Sequence, residues 1–127
     1  MKLSIIEEKS KGFAIRVVKL YKYLTGTADE REYVLSKQLL RSGTSIGANV
    51  KEALRGQSRA DFHSKMNIAL KEACETEYWI ELLKETDYIS EEQFLSLQED
   101  YKEIIKILMS ITKSTSPMTE DKFNCEL

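Results

Sequence analysis

The side chains of this chain that could do chemistry are few, and most of them stand at helical spacing. Ile68, Glu72, Glu75, Trp79 and Leu82 form a stripe in which two carboxylates interrupt an apolar line. A carboxylate pair can serve as general acid and base, hold a cation, or sit inside a bundle as a polar lock. Buried carboxylates need partners, because an unpaired one costs ~3–5 kcal/mol. Arg41 is the expected partner of Glu72, with Ser42, Ser45 and Asn49 adding neutral hydrogen bonds to a network around Glu72 and Glu75. Three readings stay open for the pair: a buried network that sets helix register, a binding or catalytic site, and side chains that face solvent.

Other catalytic and metal chemistry is poorly provided for. Di-iron bundles draw on Glu-x-x-His pairs, whereas His63 is the only histidine and Ala60 precedes it by three. Asp61, His63 and Ser64 point in different directions on a helix, so they do not converge as a triad. Cys74 and Cys125 have no spacing that suggests a disulfide framework or a zinc site, and a reducing cytosol is the easier reading. There is no phosphate-cradling glycine loop and no nucleophile elbow. The expectation is a non-enzyme with no catalytic residue, metal or cofactor.

Charge offers a different lead. Net charge is −2, yet residues 1–65 hold 13 Lys and Arg against 7 Asp and Glu, while residues 66–127 hold 6 against 14. Lys51, Arg55, Arg59 and Lys65 cluster in sequence and are the candidate phosphate contacts for a nucleic acid. A solvated basic helix end is the plainer account of the same four. Opposite-sign halves also allow one copy of the chain to dock on the next, and a closed head-to-tail ring would use such unlike surfaces.

The elements that must position these groups are helices. Apolar ladders in alternating steps of four and three run through Phe13, Val17, Leu20, Leu24; Leu35, Leu39, Ser42, Ile46, Asn49, Ala53; Phe62, Met66, Ala69, Ala73, Thr76, Ile80, Leu83; and Phe94, Leu97, Tyr101, Ile104, Leu108, Ile111. The first helix covers about residues 5–25 and ends near Gly26. Thr27-Ala28-Asp29-Glu30 has the form of a capping box opening the second, which runs to about Arg55. Ser58 with Asp61 opens the third, to about Thr86, and Ser90-Glu91-Glu92-Gln93 opens the fourth, to near Lys113. Short connections make successive helices antiparallel, so the fold class is an all-α, up-down-up-down, left-handed four-helix bundle over residues 1–113. Residues 114–127 read as a flexible tail. A core can form without staples at 127 residues.

Two expectations concern packing. Ser42, Gly43, Thr44, Ser45 and Gly47 are poor helix formers, the glycines costing roughly 1 kcal/mol each, so close backbone contact must compensate. If the turn between the second and third helices centres near residue 57, facing residues have numbers summing to about 113 or 114, placing Gly47 near Met66, Ser42 near Glu72 and Ser45 near Ala69. Tyr21, Val50, Leu54, Trp79, Ile105 and Met109 lie beyond the ladders and make self-association the natural expectation.

Arg41-Ser42-Gly43-Thr44-Ser45-Ile46-Gly47-Ala48-Asn49-Val50, Ser58-Arg59-Ala60-Asp61-Phe62 and the run Ile68 to Trp79 with Glu75-Thr76-Glu77-Tyr78-Trp79 resemble the bacterial four-helix-bundle family encoded in intervening sequences of 23S ribosomal RNA genes. The resemblance implies an up-down bundle that assembles as a homopentamer and has no known catalytic residues. It also implies kinship with the accessory variability determinant of diversity-generating retroelements, a pentameric barrel that binds nucleic acid and a reverse transcriptase. Two functions follow as expectations: an oligomeric accessory protein that binds RNA or DNA, or a scaffold for protein contacts that binds no nucleic acid. Met1 is followed by neither a signal-peptide core nor a membrane span, so a cytoplasmic protein with no membrane partner is expected.

Overall fold

In the computed structural model, which describes residues 2–27 and 30–116, four helices pack as an antiparallel bundle. They are α1 (Lys2–Lys22), α2 (Val34–Leu54), α3 (Arg59–Glu85) and α4 (Glu91–Thr115). Their inward stripes meet in one core: Ile6, Phe13, Val17 and Leu24; Leu39, Ile46, Val50 and Ala53; Met66, Ala69, Ala73, Ile80 and Leu83; Leu97, Tyr101, Ile104, Leu108 and Ile111. The four-three alternation drives this arrangement, because it keeps one stripe of each helix against its neighbours. Adjacent helices run in opposite directions, as cross-links show for α1 and α4 (Lys9–Glu103 at 3.2 Å and Arg16–Asp100 at 2.5 Å) and for α3 and α4 (Arg59 with Ser114, Lys84 with Glu91 at 3.3 Å).

Helix ends decide the lengths. α1 finishes in a wider π-helical turn, Tyr23–Thr27, which brings Leu24 fully into the core. α2 does not start at Thr27. It starts at Val34, and its free amides are satisfied by Glu32, whose carboxylate accepts from Val34 (2.9 Å), Leu35 (2.8 Å) and Ser36 (2.7 Å) and from the Ser36 hydroxyl (2.7 Å). One charged group thus meets three amides that a Thr–Glu box would have met less completely. Thr27 is taken up by the π turn, and Ala28 and Asp29 lie outside the described residues. The other two starts follow the sequence. Ser58 accepts from the Asp61 amide at 3.0 Å, and Ser90 and Gln93 form a reciprocal capping box at 2.8 and 3.0 Å. α4 continues two residues beyond Lys113, so Ser114 and Thr115 are helical rather than tail. Residues 117–127, Cys125 among them, lie outside the described residues.

The glycines of α2 face α1, not α3. A Cβ on Gly43 would stand 2.9 Å from both methyls of Val17, and one on Gly47 would stand 3.4 Å from the Ser10 carbonyl oxygen. The expected close approach is thus found at Gly43, directed at α1 rather than α3, while Gly47 stands at ordinary contact distance. The α2–α3 seam uses another register: Arg41 meets Glu75, Ser42 meets Thr76 and Glu52 meets Lys65, pairs whose numbers sum to 116, 118 and 117. The shift from 113–114 has a geometric cause. Side chains lean toward the N-terminus of their own helix, so in an antiparallel pair each contact falls about one residue further along on both helices than backbone symmetry suggests.

Candidate interaction surfaces and the polar seam

The turn joining α2 to α3 holds the basic cluster. Gly56 makes it tight: its amide donates to the Ala53 carbonyl at 3.0 Å, and a Cβ there would collide with an Asp61 carboxylate oxygen at 2.5 Å. Lys51, Arg55 and Lys65 line the resulting open concavity together with Ala48, Glu52, Gln57, Ser58 and Asp61. Arg59 does not join them. Its guanidinium reaches across to α4 and donates to the Ser114 carbonyl at 3.1 Å, while the His63 Nδ1 lies 2.9 Å from the Thr115 hydroxyl. These two residues hold the carboxyl end of α4, where unsatisfied carbonyls attract cations.

The concavity also carries its own counter-charge. Lys65 pairs with Glu52 at 2.9 Å, and that hydrogen bond and charge, with a smaller contribution from Asp61, push its pKa above the usual lysine value. Lys51 and Arg55 make no ion pair among the described residues. The four-residue phosphate site read from the sequence is therefore geometrically two unpaired cations, one neutralised lysine and one arginine directed elsewhere.

The polar seam between α2 and α3 differs from expectation as well. Arg41 Nη2 donates to Glu75 Oε2 at 2.7 Å, not to Glu72, and the Trp79 indole donates to the same oxygen at 3.0 Å. The leaning of side chains that moved the register also moved this partner. Glu72 lies within reach of Arg41's charge but keeps a buried Oε1 with no hydrogen-bond partner. Burial, then repulsion from Glu75, raises its carboxyl above the usual range, against a smaller lowering by Arg41. Ser42 and Thr76 link the helices through hydroxyls 2.9 Å apart, both fully buried. Ser45 and Asn49 are not in the network: they donate to the carbonyls of Arg41 (2.7 Å) and Ser45 (2.8 Å) in their own helix. Residues the sequence reading passed over include Glu32 and Arg16, which donates to the Ser96 carbonyl at 3.3 Å and to its hydroxyl at 2.9 Å. Nothing periodic marks either one.

Val50 and Ile105, expected on the outside, are buried, and Leu54, Trp79 and Met109 pack against the core. The apolar side chains on the surface are others, among them Ile15 (48% exposed), Val18 (36%), Val34 (74%), Ile68 (39%), Tyr78 (55%) and Leu95 (50%). Among the described residues no group of three or more His, Cys, Asp or Glu is placed to hold a metal, and no helix is long and apolar enough to cross a membrane.

This is an antiparallel four-helix bundle whose polar groups sit in seams and surface concavities. The chain belongs to the 23S rRNA-intervening sequence protein family, which it matches over residues 2–110. It is similar to a solved structure from Bacteroides thetaiotaomicron, described as a protein of unknown function from the S23 ribosomal protein family, at 57% identity. The match covers 89% of this chain and 99% of that one, with a TM-score of 0.85. No curated protein matches.

Proposed function

We propose that this protein is a non-enzymatic, self-associating scaffold whose helical faces serve protein contacts. The observation that carries this reading is the pair of apolar side chains Ile15 and Val18, three residues apart on an otherwise solvated face of α1. Single exposed apolar residues are ordinary, but pairs along one helix face are what a partner covers. The test is the mass of the chain in solution by light scattering at micromolar concentration and moderate salt. A multiple of 14.7 kDa is expected, and a single-chain mass across the accessible concentration range would refute the scaffold reading. A homopentameric ring, implied by the family resemblance, and the cytoplasmic setting expected from the sequence form part of this proposal, as does kinship with the retroelement accessory protein and its reverse transcriptase partner.

A second reading, nucleic-acid binding, is favoured by one specific observation: Lys51 and Arg55 line the turn concavity and make no ion pair among the described residues. With a Debye length of about 8 Å at physiological salt, distant carboxylates are screened from phosphates held there. Glu52 and Asp61 oppose it locally, so binding would be weak, salt-sensitive and nearly sequence-independent. Retention of structured RNA at ~50 mM salt that is lost in Lys51→Ala/Arg55→Ala and kept in Arg59→Ala would support it, and no retention by the wild-type chain would remove it.

A further inference from the structure

The outer face of α1 carries Lys11, Ile15, Val18 and Lys22, spaced four, three and four residues apart, so they form one straight stripe of three turns, ~16 Å long. All four are exposed, and neither lysine makes an ion pair among the described residues. The outer side of the α2–α3 seam carries a stripe of the same spacing and length, Ile68, Glu72, Glu75 and Trp79, extended by Leu82. It holds a carboxylate pair in which Glu75 accepts from Arg41 and Trp79, while the Oε1 of Glu72 is buried without a hydrogen-bond partner among the described residues.

We infer that the α1 stripe of one copy docks along the α2–α3 seam of a second copy, and that a lysine of the first completes the Glu72–Glu75 site of the second. This rests on the self-association reading above and adds the surfaces and the residue supplied in trans. The chemistry is complementary. A lysine set against Glu72 supplies the positive charge that Arg41, engaged by Glu75, leaves wanting, and Ile15 and Val18 cover Trp79 and Leu82. The order basic, apolar, apolar, basic reads nearly the same in both directions. A lysine therefore reaches the carboxylates whichever way the helices run, its methylenes lying over Ile68. The two stripes are different surfaces of one chain, so the contact is head-to-tail and propagates until a ring closes or a filament forms. Leaving the seam uncovered keeps a half-buried carboxylate beside a second negative charge, the arrangement that burial penalises.

The full chain tests this. Ile15→Asp/Val18→Asp changes only exposed side chains, so circular dichroism should stay that of the wild type while sedimentation shows association weakened about tenfold or more, the effect of placing charges in a desolvated contact. Lys11→Glu/Lys22→Glu should weaken it as well. Carbodiimide coupling of mixed isotope-labelled and unlabelled copies should yield amide links between Lys11 or Lys22 of one copy and Glu72 or Glu75 of another. If the wild type associates but both α1 variants associate equally well and the links are absent, these surfaces are wrong and the scaffold reading stands. If the wild type is a single chain throughout, that reading fails and this inference with it.

Discussion

Alanine at two glycines of α2, one turn apart, should act with opposite sign. At Gly43 a new Cβ would lie 2.9 Å from both methyls of Val17, which is fully buried. Carbon atoms rest at ~3.5–4.0 Å, so α1 and α2 must separate by more than half an ångström, and Val17, held to one rotamer in a helix, cannot swing aside. Overpacking of this kind costs ~1–3 kcal/mol, against a gain of ~1 kcal/mol from replacing glycine in a helix, so net destabilisation of up to ~2 kcal/mol is expected. At Gly47 the nearest atoms belong to Ser10 at 3.4–3.5 Å, which is ordinary contact. Gly47→Ala should therefore be neutral or stabilising by up to ~1 kcal/mol. Urea unfolding followed by circular dichroism at matched protein concentration measures both, matched because self-association adds a concentration-dependent term. A further check is Gly43→Ala combined with Val17→Ala, which should cost less than the sum of the two single changes because the added methyl fills the space vacated. A Gly43→Ala protein more stable than the wild type, or a Gly47→Ala protein destabilised as much as Gly43→Ala or more, would refute the packing argument.

Two more predictions concern polar groups. Glu32→Ala should cost ~1–3 kcal/mol at neutral pH, since it frees three helix-start amides and one hydroxyl from a charged acceptor. Burial pushes the Glu32 carboxyl up, but the Ser36 hydroxyl and the amides of Leu35, Ser36 and Val34 outweigh it and hold it below its ordinary 4.5. The stabilisation is thus present above that value and lost as pH falls through the lower folded one, so the gap between wild type and Glu32→Ala should close in acid; a gap independent of pH would contradict it. For Arg41, a double-mutant cycle with Glu75→Met should give a coupling of ~0.5–1 kcal/mol, modest because both side chains are partly solvated. The same cycle with Glu72→Met should give less, and equal couplings would show that Arg41 is shared between the two carboxylates.

Much of the bundle was legible because it depends on periodicity. Phe13 and Val17, Met66 to Leu83 and Leu97 to Ile111 recur at helical spacing, and spacing is a local property that survives without knowledge of neighbours. Ser58 and Ser90 announced two helix starts for the same reason, since a cap bonds only three residues ahead. What a ladder cannot say is which neighbour its flank meets. Gly43 and Gly47 were visible as a demand for close approach, but that they answer to Val17 and Ser10 of α1 was settled by how α2 is rotated in the bundle. The exchange of Glu72 for Glu75 as the partner of Arg41 has a related origin, since a small shift in register along two antiparallel helices reassigns the long polar side chains between them, while Arg59 is taken by the carbonyls at the end of α4. Composition and spacing therefore determined that four amphipathic helices pack around one core. Only tertiary structure, through rotation and register, decided which charges were spent inside the chain and which, at Lys11, Lys22, Lys51 and Arg55, were left for something else.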